Sequence, residues 1–275
     1  MVLEQATTRP ATRASRPGIV AVLLGVTLGA WFVVLLRMRG MDAGPGTDLG
    51  SLGWYLGVWV TMMAAMMLPS AAPMVLLYAR VARGSTAHPG LSTALFLTGY
   101  LIAWTVYGAV AYGLYHIVRS PDPSFLAWDG AGPIVAGGAV ALAGVYQLTP
   151  LQQVCLRHCR SPLHFVLHRW RRGALGPVRM GVEHGGYCVG CCWALMLVLF
   201  AVGVMSVTWM VVLAAIIFAE KVLPMGERVS QVLAVALVAA GIWIAVAPGS
   251  VPGLTEPGVS EQMNGMLPAP TVALA

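Results

Sequence analysis

Apolar residues in this chain run in long blocks separated by short polar segments, with little of the alternation that marks half-buried elements of soluble domains. Seven blocks stand out, at about 18–36, 52–79, 92–116, 132–150, 187–205, 207–223 and 229–247. Each is near the roughly 20 apolar residues that a helix needs to cross a bilayer. The pattern predicts an all-α fold, a polytopic transmembrane helix bundle of about seven spans with the N-terminus cytoplasmic. The sixth block is short and abuts the fifth; if it does not cross, the last helix and the tail after it reverse their orientation. The expected organisation is a cytoplasmic polar tail at 1–17, a signal-anchor span at 18–36 and a six-span membrane unit at 50–248. That unit carries a cytoplasmic loop at 155–186, and a flexible, Pro/Gly-rich extracytoplasmic tail follows at 249–275.

The first block follows Arg9, Arg13 and Arg16, as a secretory signal would. It is longer than an h-region of about 7–15 residues, and Arg37 and Arg39 follow it where a cleavage site would need small residues. An uncleaved anchor is therefore expected, with Gly25 and Gly29 offering one face for close helix approach. The loop 155–186 is too short to bury a core of its own, and its Trp170-Arg171-Arg172 cluster reads as an interfacial anchor.

Composition agrees with a membrane chain. Of 275 residues, 58% are hydrophobic and only 9% charged, which excludes soluble enzymes, disordered regulators and disulfide-stapled secreted scaffolds. The net charge of +6 does not indicate nucleic acid, because the basic residues lie between the apolar blocks, where they set topology and meet anionic lipid. With the N-terminus inside, thirteen basic residues are cytoplasmic and three, Arg37, Arg39 and Arg119, are outside. Nearly all basic residues are arginine, which suggests a GC-rich bacterial source; a multi-pass protein of the bacterial inner (plasma) membrane is expected.

The candidate chemistry sits beside the long loop. Cys155 and Cys159 form C-x3-C after the fourth block, and Cys188, Cys191 and Cys192 form C-x2-C-C at the start of the fifth. Residues three and four apart share a helix face, so each cluster presents at least two sulfurs together. At a cytoplasmic surface the thiols stay reduced and available as ligands. Thiolate sulfur suits Cu(I), Zn2+ and iron–sulfur centres. His158, His164, His168 and His184 lie in the same stretch, and His158 and His184 are taken as candidate ligands.

The second block contains Met62, Met63, Met66 and Met67, two i, i+4 pairs whose thioethers share a broad face. Thioether is a soft ligand suited to Cu(I), and methionine is also an ordinary flexible filler. Pro69 and Pro73 are expected to break the helical hydrogen-bond ladder there, as in helices that line a site. Met196, Met205 and Met210 would extend a soft-ligand path towards the outer face. Glu220-Lys221, near the end of the sixth block, places ionisable groups at membrane depth or its edge; Glu220 is a candidate ligand or proton carrier. The Gly/Ala-rich 136–144 stretch should let backbones approach closely, and Tyr146 and Gln147 should hydrogen-bond across helices. Neither a Walker loop, an H-E-x-x-H helix nor a G-x-S-x-G elbow occurs, and no catalytic residue is predicted.

Three stretches together, Met62 to Pro69, Tyr146 to Pro162 and Gly186 to Met196, resemble a bacterial family of predicted metal-binding integral membrane proteins. Phe218-Ala219-Glu220-Lys221 belongs to the same pattern, and the likeness covers roughly 50–248. The resemblance implies metal binding, and the ligand set predicts a soft ion, copper first and zinc second. The site residues are Cys155, Cys159, Cys188, Cys191, Cys192, Met62, Met63, Met66, Met67, His158, His184 and Glu220. The expected role is metal transport, delivery or metalloenzyme assembly, with the lipid bilayer and a metal-delivery partner or membrane complex as partners and no nucleic acid. A membrane thiol–disulfide oxidoreductase using Cys188 and Cys191, and a non-enzymatic structural subunit of a membrane complex, are the alternatives.

Overall fold

A computed structural model describes residues 16–38, 49–119, 131–171, 173–202 and 206–250. Both tails, apart from residues 16–17 and 249–250, and Met205 and Arg172 lie outside this range. The described residues form nine α-helices: α1 (Arg16–Arg37), α2 (Leu52–Ser85), α3 (Pro89–Arg119), α4 (Gly132–Gln147), α5 (Pro150–Arg160), α6 (Pro162–Arg169), α7 (Gly176–Val202), α8 (Val207–Val222) and α9 (Gly226–Val246). A single 3-10 turn, Pro248–Ser250, follows α9.

The all-α architecture matches the expectation, but the spans differ in two places. Five helices, α1, α2, α3, α7 and α9, are long and apolar enough to cross a membrane. The predicted fourth span is bent by 65° where α4 gives way to α5, and the pair counts as a sixth span only if taken as one. The bend follows from Leu148-Thr149-Pro150. Proline disfavours the α region for the residue before it, and Thr149 is extended at φ −74° and ψ 148°. Thr149 Oγ1 then caps α5 by accepting from Gln152 N, with Pro150 in the first turn. The predicted sixth span, α8, has 16 residues. At about 1.5 Å per residue it reaches roughly 24 Å, short of a core of about 30 Å.

The stretch read as the loop 155–186 is largely helical. It holds most of α5, all of α6 and the first turns of α7. Hydropathy finds apolar runs and misses short amphipathic helices, but the Thr149-Pro150 and Ser161-Pro162 pairs carry the start signals. The expectation for α2 also changes. It runs as one helix of 34 residues through both Pro69 and Pro73 instead of breaking there. The prolines remove the amides that would bond to Ala65 O and Pro69 O, and the buried neighbours around this stretch hold the helix continuous.

Helix pairs close where glycine permits. A Cβ at Gly144 would fall 2.7 Å from Ala234 O of α9, and one at Gly185 would fall 2.7 Å from Ala103 Cβ of α3. The 136–144 stretch thus seats α4 on α9 as its composition predicts. Gly25 and Gly29 are not used this way, since nothing described approaches within 4 Å of a Cβ at either position. The α1 surface instead presents Val22, Leu24, Leu28 and Phe32 outwards.

Candidate metal centre

The 65° bend turns α5 so that Gln152, Cys155, Leu156 and Cys159 face inwards, spaced i, i+3, i+4 and i+7. Gln152, Cys155 and Leu156 are buried and Cys159 is half-buried. This face lies on α7, whose Cys188, Cys191 and Cys192 are buried. All five cysteines are free.

The helices bring four of the five sulfurs into one group. Cys159 Sγ and Cys191 Sγ are 3.8 Å apart, and Cys191 Sγ and Cys192 Sγ are 3.5 Å apart. The Cys191 and Cys192 thiols both donate to Cys188 O, at 3.1 and 2.8 Å. Cys188 Sγ receives a hydrogen bond from Lys221 Nζ at 2.9 Å and meets the Tyr100 hydroxyl at 3.0 Å. Cys155 stands apart from these contacts, over the backbone of Gly190, where a Cβ would fall 2.6 Å from its sulfur. Tyr146 Oη donates to Gly190 O at 2.6 Å, so the cross-helix bond expected of Tyr146 fixes this same turn of α7.

Among the described residues, no three or more His, Cys, Asp or Glu side chains are arranged so that they could hold a metal ion together. The donor chemistry nevertheless suits a soft ion. Metal–thiolate bonds of about 2.3 Å in tetrahedral geometry put sulfurs roughly 3.8 Å apart, which is the Cys159–Cys191 separation.

The other predicted ligands are distributed more widely. His184 is one helical turn before Cys188 and buried among the rings of Phe96, Tyr100 and Phe165, with Nδ1 buried and without a partner. An unpaired buried nitrogen on the cysteine face of α7 is compatible with a ligand role. His158 stacks on Tyr187 at 4.3 Å, with Nδ1 2.9 Å from Val154 O, and is half-exposed. His164 and His168 stack on each other at 4.2 Å. Glu220 is buried and accepts from Gln147 Nε2 at 3.0 Å, the cross-helix bond expected of Gln147. Gln152 Nε2 donates to Ser230 Oγ at 3.3 Å, which extends a polar layer across α4, α5, α8 and α9. Glu220 therefore faces amides, and its neighbour Lys221 faces sulfur.

Met62, Met63, Met66 and Met67 are all at most 1% exposed and share one core with Cys155, Cys188, Cys191, Cys192, Met196 and Met210. The soft donors of α2, α7 and α8 thus belong to one continuous interior. In sequence, Lys221 reads only as half of an ionisable pair with Glu220 and not as a site residue, and Tyr100 does not stand out. Lys221 had a signal, being the only lysine in a chain whose other basic residues are all arginine; a compact ammonium suits a narrow buried partner better than a planar guanidinium does. Tyr100 had none beyond its aromatic type.

A helical membrane bundle enclosing a buried sulfur group is the class of protein these features define. The chain belongs to the PpoB2 copper chaperone family, whose model matches residues 56–244. The match spans α3 to α8 entirely, with most of α2 and α9, and it selects copper from the two metals expected. The protein is thus a multi-pass membrane protein of copper binding and delivery. No match was found among curated proteins or among solved structures.

Proposed function

We propose that Cu(I) is the cargo and that Cys159, Cys188, Cys191 and Cys192 receive it, with His184 as an additional nitrogen donor. The observation that carries this reading is the part-buried contact of Cys159 on α5 with Cys191 on α7, two helices whose cysteines are 32 positions apart in sequence. A group of soft sulfurs held in a membrane interior is a binding surface for a soft monovalent ion and a poor one for hard cations. Lys221 and Tyr100 act as positioning residues that hold the Cys188 sulfur in place. Cys155 supports the site through Gly190, and Glu220 belongs to the adjoining polar layer.

Met62, Met63, Met66 and Met67, with Met196 and Met210, would carry the ion onward through the same interior to a recipient. Thioethers bind Cu(I) without a charge change of their own, and several equivalent weak sites favour passage over retention. The basic helix ends, including Arg83, Arg157, Arg160, Arg169 and Arg228, support placing the α5–α6 end of the bundle in the cytoplasm of a bacterial inner membrane. Copper then loads from the reduced side, where the thiols stay free.

The test is the metal content of the full chain purified under reducing conditions and loaded with Cu(I). Bound copper that disappears in a variant with all five cysteines replaced by serine supports the site. Equal copper in that variant assigns the cargo elsewhere and overturns it.

A further inference from the structure

The same end of the bundle holds a second feature, a cavity outside the sulfur group with a volume of about 640 Å³. Its lining includes Arg157 and Arg160 of α5, Ser161, and Met225, Glu227 and Arg228 where α9 begins. Three guanidinium groups face one carboxylate, and Glu227 Oε1 is engaged by Arg157 Nε at 3.2 Å. The cavity therefore keeps an excess of two positive charges.

Arg160 is fixed in place. Its Nη2 donates to Leu223 O at 2.6 Å and to Pro224 O at 2.9 Å, tying the α8–α9 turn to the end of α5. Its guanidinium lies over Gly226, where a Cβ would fall 2.5 Å from Nη1. Two helices also start at this cavity. The N-cap residues of α6 and α9, Ser161 and Met225, make no side-chain cap bond. Their first-turn amides add partial positive charge in the same direction as the arginines.

The surroundings decide what kind of anion fits. Met225 of the lining is 55% exposed, and Val154, Leu163 and Leu223, each within three residues of a lining residue in sequence, are exposed as well. An apolar rim around a basic pocket at the end of membrane helices matches a molecule with an anionic head and a hydrocarbon body. We propose that this cavity binds the phosphate of an anionic phospholipid headgroup, with the acyl chains lying along that apolar rim. The proposal is independent of the copper reading, since none of these residues is assigned to the sulfur group.

The test uses the full chain in non-ionic detergent, titrated calorimetrically with short-chain phosphatidylglycerol, with phosphatidylcholine of the same chain length, and with inorganic phosphate. Saturable binding of phosphatidylglycerol is expected, at least tenfold tighter than either of the others. The double variant Arg157→Gln, Arg228→Gln should lose at least tenfold in that affinity, while its copper stoichiometry stays unchanged and reports an intact fold. Equal binding of the two lipids, or unchanged affinity in the double variant, overturns the proposal. Phosphate binding as tightly as phosphatidylglycerol makes this a free-oxyanion site and overturns the lipid. An oligoglutamate peptide that binds more tightly than the lipid assigns the cavity to a protein partner and overturns it as well.

Discussion

Lys221 Nζ donates to Cys188 Sγ across 2.9 Å in the interior of the bundle, and Lys221 is only 8% exposed. Cysteine coordinates metal as thiolate, and a buried negative charge is tolerated only with a positive partner close by. Lys221 supplies that partner from α8 to a ligand on α7. Lys221→Met keeps the length and apolar stem of the side chain and removes the charge. Cu(I) affinity, measured by competition with a chromophoric chelator, should fall at least tenfold, about 1.4 kcal/mol. Lys221→Arg should restore part of the loss. Unchanged affinity in Lys221→Met would show that the pair only fills space.

The five cysteines should not be equivalent. Cys159 and Cys191 meet at 3.8 Å, whereas Cys155 lies over Gly190, outside the sulfur contacts. Cys159→Ser and Cys191→Ser should each lower copper affinity at least tenfold, and Cys155→Ser should leave it within about threefold. A Cys155→Ser loss as large as that of Cys159→Ser would mean that α5 presents both sulfurs to the ion.

How much of this was legible in the sequence depends on the kind of signal. The long helices follow from apolar runs that nothing but a bilayer or a large core can cover, and the glycines of 136–144 announce a close helix contact that α9 indeed makes. The two cysteine clusters are visible because their i, i+3 and i+4 spacings put sulfurs on one face. What periodicity cannot show is which face meets which neighbour. Cys155 and Cys159 look alike in sequence, and only the 65° bend at Thr149-Pro150 decides that Cys159 reaches Cys191. Glu220 and Lys221 likewise look like one ionisable pair, yet consecutive helix positions point in directions about 100° apart. One therefore meets Gln147 and the other Cys188. Gly25 and Gly29 show the converse, a close-packing spacing that no described neighbour uses.

The methionines of α2 offer a separate handle on delivery. Replacing Met62, Met63, Met66 and Met67 together by leucine conserves volume, and such swaps in a core usually cost under about 1.5 kcal/mol each. The variant should still bind copper at the cysteines with unchanged stoichiometry. Its transfer of copper to an acceptor chelator across a proteoliposome membrane should slow at least severalfold. Transfer at the original rate would reduce these four residues to core filler.

The α4–α9 contact predicts a stability effect without a functional one. A Cβ at Gly144 would meet Ala234 O at 2.7 Å, and Val238 Cγ2 and the Val238 amide at 2.9 Å. Gly144→Val forces these helices apart, and overpacking of this kind costs about 1–3 kcal/mol. Thermal unfolding of the variant in detergent should begin several degrees lower than in the parent. Gly25→Val, on the open face of α1, should leave the transition where it is. Equal shifts would contradict the packing described for these two faces.

Orientation is tested at Arg228, which is exposed at the start of α9 on the end of the bundle that carries α5 and α6. If the excess of basic residues holds this end inside, a cysteine introduced there should react with a membrane-impermeant maleimide in inside-out vesicles and stay unlabelled in right-side-out vesicles. The parent background should be the five-serine variant, so that native thiols do not contribute. Labelling in right-side-out vesicles would place this end, and with it Cys159, at the oxidising outer face. Free thiols would then be harder to sustain, the neighbouring sulfurs of Cys159 and Cys191 would favour disulfide chemistry, and the thiol oxidoreductase alternative would gain the topology it requires.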